Sequence, residues 1–134
     1  MAMTNRDRVG KAFEILAGPL DEFITRVLEP ELGPDTDWTT LVAAKDATNG
    51  KTGLHYSRTD PLVGLRMLTE NIPNQVRHGW YPFNGQFGRV QESYASELRD
   101  ARNKFAHYES FTNDDAYRVL DTAERLLAAI NAPD

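Results

Sequence analysis

Apolar residues along the chain recur at spacings of three and four, and no strand-type alternation persists, so the pattern predicts helices throughout. Thr4 with Asp7 reads as a capping box in which an acid replaces the usual Glu, and Val9, Phe13, Leu16 and Leu20 follow on one face. The Gly18-Pro19 pair is expected to break the backbone, because Gly suits a left-handed helix end and Pro the first turn of a new helix. Leu20, Phe23, Val27 and Leu28 continue the stripe until Pro30 and Gly33-Pro34 stop it, so the first two helices are expected to form one broken or kinked arm. Residues 35–59 read as loop, rich in Asp, Thr and Gly, with a helical turn around Trp38, Leu41 and Val42. Asp60-Pro61 reads as a cap plus first-turn proline ahead of Leu62, Leu65 and Leu68, and Pro73 forces a bend or an end. Residues 73–86, with Trp80, Tyr81 and Phe83, read as an aromatic loop set onto the core.

The clearest helix carries Phe87, Val90, Tyr94, Leu98, Ala101, Phe105 and Tyr108, the face of a long buried helix. Thr112 then caps with Asp115 at the third position, and a last helix presents Ala116, Leu120, Ala123, Leu127 and Ile130. The predicted fold is all-α, a bundle of four or five helices with a long irregular middle loop. At 134 residues it is a single domain, long enough to bury about two thirds of its unfolded surface. The ending Asn131-Ala132-Pro133-Asp134 is linker-like and points to a domain excised from a longer protein.

Composition removes several chemistries. There is no cysteine, hence no disulfide, thiolate zinc site, iron–sulfur cluster or cysteine nucleophile. No apolar run approaches the roughly 18 residues of a membrane span, and the polar N-terminus lacks a secretory signal, so a cytoplasmic protein is expected. The net charge of −5 argues against a chain that coats nucleic acid indiscriminately. Its distribution changes that picture, since residues 38–108 carry 9 basic and 6 acidic side chains between two acidic ends. A local cationic site inside an acidic shell can still hold a phosphate.

His55 and His78 lie in loop-rich stretches with no second ligand at helical spacing, which argues against a metal role, and no cofactor is expected. Gly50-Lys51-Thr52 has the last residues of a phosphate loop, but Lys45 stands where the first glycine is required and no strand precedes it. The remaining cluster is Arg99, Arg102, Asn103 and His107. On a wheel at about 100° per residue, Glu92, Ser96, Arg99, Asn103 and His107 form a stripe opposite the apolar one. His107 lies about 160° from the core direction and Arg102 about 80° from it. An imidazole takes and gives protons near neutral pH, and a guanidinium holds a phosphate bidentately, a pair suited to cleaving RNA through its 2′-hydroxyl. Arg102 and His107 are separated by about 140° on one ideal helix, so the two reach one phosphate only if the last turn unwinds or a second copy supplies its own pair. On spacing alone an exposed polar helix face explains the cluster as well.

Arg102-Asn103-Lys104-Phe105-Ala106-His107, at the end of a long helix and ahead of a turn and a final helix, resembles the Arg-x4-His motif of the HEPN superfamily. The stretch from Glu97 through Asp114-Asp115-Ala116-Tyr117 to Ala123-Glu124-Arg125-Leu126-Leu127, with Asn5-Arg6-Asp7-Arg8-Val9-Gly10-Lys11-Ala12, is similar to one branch of it. That branch stands at the front of large bacterial proteins, often ATPases linked to phage defence, and occurs in a eukaryotic nuclear RNA-surveillance endonuclease. The middle of the chain matches poorly around Pro73 and Trp80 to Gly85. The resemblance implies a helical bundle, a homodimer through the motif-bearing helix, and metal-independent endoribonuclease chemistry on RNA that leaves a 2′,3′-cyclic phosphate. It also implies a fused or associated ATPase and a role in antiviral defence or RNA control. Carried over by position, His107 is the acid/base residue, Arg102 the phosphate holder and Asn103 the residue that orients histidine or substrate. Arg99 is added from the wheel as a substrate contact. The alternative is a noncatalytic HEPN module that dimerises or binds nucleotides and regulates a larger protein.

Overall fold

A computed structural model describes residues 3–33, 37–70 and 88–131. Five α-helices and no strand occur among the described residues: α1 (Asn5–Leu32), α2 (Thr39–Thr48), α3 (Pro61–Thr69), α4 (Arg89–Ala106) and α5 (Asn113–Asn131). The all-α bundle expected from the periodicity is the fold observed. The aromatic loop expected over residues 73–86, and the expectations for Pro73 and Phe87, lie outside the described residues.

Helix α1 differs from its expected form, because it runs unbroken for 28 residues through Gly18-Pro19 and past Pro30. An interior proline removes one backbone hydrogen bond and ordinarily costs roughly 3 kcal/mol. The carbonyl that loses its partner belongs to Ile15, which stands 53% exposed, while Leu16, Leu20, Ile24 and Leu28 on either side of Pro19 are all buried. Burying that continuous stripe outweighs the local break. The helix stops at Gly33, whose φ of 88° only glycine adopts readily and whose N–H donates to the Glu29 carbonyl. Its start is the expected capping box: the Thr4 hydroxyl accepts from the Asp7 amide and the Asp7 carboxylate from the Thr4 amide.

The expected helical turn near Trp38 is a full helix, α2, of 10 residues. Trp38 accounts for it, because its ring is buried and its Nε1 donates to Asp21 of α1 at 2.9 Å. Arg58 also donates to Asp21, at 2.8 Å, pinning the far end of the connecting segment to α1. Helix α3 begins as expected at Asp60-Pro61, with the Asp60 carboxylate accepting from the Leu62 amide.

Helix α1 packs along α5 and touches α3 and α4; α4 lies between α3 and α5; α2 rests on α3. The core gathers Val9, Leu16, Leu20, Ile24, Leu28, Trp38, Leu65, Leu98, Leu126 and Ile130. Helix α4 is less buried than its apolar face predicts. Ala95 and Leu98 are buried and Tyr94, Ala101 and Phe105 partly so, but Val90 is exposed and Tyr108 is 84% exposed. Only the middle of α4 is core.

Candidate functional site

The C-terminal turn of α4 is built by α1. Arg6, Gly10 and Phe13 succeed one another at helical spacing and all meet Phe105. The Arg6 guanidinium lies 4.1 Å above the Phe105 ring and Phe13 meets that ring edge-on at 6.1 Å. Gly10 permits the approach, because a Cβ there would stand 3.1 Å from the ring. Arg6 also donates to the Phe105 carbonyl at 2.6 Å, satisfying one of the acceptors a helix end leaves open. Asn5 extends the clamp to the next turn, donating to the Phe111 carbonyl and to Asn113.

His107 caps this end. Its φ and ψ are −92° and 12°, and Tyr108 follows in the left-handed region at φ 59°. The Tyr108 amide donates to Phe105 and the Glu109 amide to Lys104, which is the Schellman pattern with tyrosine where glycine is usual. A bulky residue there is strained by roughly 1 kcal/mol or more. The Arg6 guanidinium also lies 4.8 Å from the Tyr108 ring, so it contacts the residues two before and one after His107. His107 itself is exposed. The turn then closes on α5 through the expected Thr112–Asp115 capping box.

The other candidates lie farther back on α4. Arg102 is half-buried and faces the start of α3, where its nearest carboxylate among the described residues, Asp60, is 3.8 Å away. Arg99 is bound more firmly, 2.7 Å from Glu70 and 3.3 Å from the Thr69 hydroxyl. Asn103 is exposed and, with Arg99, lines a cavity of about 440 Å³ between α2, α3 and α4. Arg102 and His107 are not among the residues lining that cavity. Among the described residues no hydrogen bond or ion pair joins Arg102 to His107.

At the back of the cavity Arg66 holds both Asp46 and Glu70, with bonds of 2.7 and 3.0 Å to the first and 2.7 and 3.1 Å to the second. Lys45 adds 2.8 Å to Glu70, and the Tyr56 hydroxyl bonds Asp46. Burial raises the Glu70 carboxyl, but hydrogen bonds from Arg66 and Lys45 and the charges of Arg66 and Arg99 outweigh it and hold its pKa at about 2. The Arg66 hydrogen bonds, against the opposing effect of burial, keep the Asp46 carboxyl well below the usual range, with Tyr56 assisting. None of Lys45, Asp46, Arg66 or Glu70 stands out in the sequence as a site residue. The net positive charge of residues 38–108 is the one signal that could have found them. Arg6 and Gly10 were legible only as part of the opening segment.

Among the described residues no three His, Asp or Glu side chains converge to hold a metal ion. His55 is exposed, and His78 lies outside the described residues. No described helix is long and apolar enough to cross a membrane.

The family model for Swt1-like HEPN proteins matches residues 11–131, nearly the whole chain and both helices around the motif. The chain belongs to the Swt1-like HEPN family. HEPN membership supports a nuclease or nucleotide-binding module in general. No curated protein and no solved structure matches this HEPN chain significantly.

Proposed function

We propose that this HEPN domain is an endoribonuclease that cleaves single-stranded RNA without a metal, with His107 and Arg102 as its reacting and charge-stabilising groups. The observation that carries the reading is His107: an exposed imidazole on a helix end clamped by Arg6, five residues beyond an arginine whose nearest carboxylate among the described residues is 3.8 Å away. In the proposed reaction the RNA 2′-oxygen attacks the adjacent phosphorus as an imidazole takes its proton. The P–O5′ bond breaks and the leaving oxygen receives a proton. The products are a 2′,3′-cyclic phosphate and a 5′-hydroxyl, and no water is consumed. Arg102 steadies the charge of the pentacoordinate phosphorus, a type of contribution worth about 10²–10³-fold. Asn103, one turn before His107, orients imidazole or strand.

One helix presents one imidazole, whereas the step uses a base and an acid. A two-fold homodimer through α4 supplies both, with two arginines and two histidines in one groove. A role in phage defence or RNA control, alongside a fused or associated ATPase, fits such a toxic activity.

The test is incubation of the purified chain with end-labelled single-stranded RNA in EDTA. Cleavage that persists, yields cyclic phosphate ends and disappears in a folded His107→Ala variant supports the proposal. Intact RNA at high protein concentration, with a homodimer shown by sedimentation, points instead to the noncatalytic, dimerising or nucleotide-binding module.

A further inference from the structure

We infer that the cavity between α2, α3 and α4 is a phosphate subsite for the same RNA strand, with Lys51, Arg99 and Asn103 as its contacts; this rests on the proposed RNA reading of His107 and Arg102. Among the described residues four cations line it, Lys45, Lys51, Arg66 and Arg99, against two carboxylates, Asp46 and Glu70. The carboxylates are spent. Each Glu70 oxygen accepts from two cations, and Asp46 is taken by Arg66 and Tyr56. They hold the arginines in place and leave the cavity with excess positive charge, inside a chain whose total is −5.

Two lining side chains have no hydrogen bond or close ion pair among the described residues: the Lys51 ammonium, whose charge is felt at Asp46 without a direct contact, and the Asn103 amide. Arg99 has two bonded nitrogens and a side chain 34% exposed, so some of its five N–H groups remain for a ligand. An anion with more than one acceptor oxygen fits this set of donors, and the phosphodiester of an RNA strand, with one charge shared by two free oxygens, is such an anion.

The strand is the source because of which residues of α4 line the cavity. Arg99, Asn103 and His107 succeed one another at four-residue steps, so the two cavity residues of α4 stand about 12 Å and about 6 Å from His107 along the helix axis. Those distances span a few nucleotides of stacked strand at about 3.4 Å each. A strand with one phosphate at His107 reaches the cavity with another.

The test measures binding of a fully 2′-O-methylated, hence uncleavable, single-stranded RNA across a salt series, using the whole chain and its Lys51→Ala, Lys51→Glu and Lys11→Ala variants. Lys51 follows Gly50 on an exposed turn, so its replacement leaves the fold intact. Lys51→Ala is expected to weaken binding severalfold and lower the salt slope by about 0.7, one phosphate's share for a single strand. Lys51→Glu weakens it further, and Lys11→Ala, on α1 outside the cavity, changes neither quantity. Equal affinity and slope in both Lys51 variants overturns the subsite, as does an equal loss in Lys11→Ala. Nucleoside triphosphate binding that needs Lys51, while RNA binding does not, also overturns it in favour of a free-nucleotide pocket. Because the RNA cannot be cut, the two readings fail separately: a chain that cuts RNA but binds independently of Lys51 loses only the subsite, and one that binds through Lys51 without cutting loses only the nuclease.

Discussion

Arg99 and Arg102 leave the same helix three residues apart and meet opposite circumstances. Arg99 reaches a carboxylate at 2.7 Å that three cations share; Arg102 has one at 3.8 Å, already engaged as the cap of α3. The first helps hold α3 to α4 and keeps only its remaining N–H groups, while the second has no counter-charge closer than 3.8 Å among the described residues. Identical side chains on one helix thus differ in how far their charge is already paired, by the distance of the counter-charge each meets. His107 is exposed at the helix end and has no ion pair among the described residues, while Arg66, Lys45 and Glu70 belong with Arg99.

The division is broken most directly through cleavage. His107→Ala and Arg102→Ala should each lower RNA cleavage by about 10²-fold or more, near 2.7 kcal/mol of barrier. Single-turnover rates check this, and rates within a few fold of the parent would return both residues to ordinary surface. The next largest effect belongs to the other group. Glu70→Ala leaves three cations facing one another in a half-buried space and should destabilise the fold by about 2 kcal/mol, below the full cost of a broken buried pair because Arg99 is partly exposed. Urea melts measure it, and an unchanged midpoint would mean the network contributes nothing.

Acid sharpens the same contrast. The Glu70 pKa is about 2 when folded against an ordinary 4.5, so its stabilisation is complete above about 4.5 and disappears as pH falls toward 2. Asp46 is shifted in the same direction and adds to the loss. A Glu70→Gln variant should lose less stability over that interval than the parent, as thermal melts between pH 5 and pH 2.5 will show. A smaller effect is expected at the clamp: Arg6→Ala gives up the bond to Phe105 and both ring contacts, a loss of about 1–2 kcal/mol. Smallest of all, Arg102→Ala and His107→Ala should shift stability by no more than about 0.5 kcal/mol. A large fall in melting temperature for His107→Ala would show a structural histidine.

Much of the fold was legible because its signals are local. Caps at Thr4, Asp60 and Thr112 and the period of the apolar residues concern neighbours within one turn, and all three caps form as expected. Legibility failed where distant packing overruled a local preference. Pro19 is a helix breaker until Leu16, Leu20 and Ile24 are seen to be buried together, and α2 looks like loop until Trp38 meets Asp21. Val90 and Tyr108 read as core from the α4 stripe but stand exposed at its ends. At the candidate site, the wheel put Arg99, Asn103 and His107 on one stripe without revealing that Glu70 holds the first.

From its sequence alone this protein is a helical HEPN domain whose motif ends a long helix, since helix period, capping and motif spacing involve residues a few positions apart. Which of its cations are neutralised and which are available depended on the tertiary structure. That outcome rests on partners such as Lys45 with Glu70 and Arg6 with Phe105, which lie 25 and 99 residues apart and meet only when the helices pack. Electrostatic availability falls off over a few ångströms, and no pattern along a chain contains that distance.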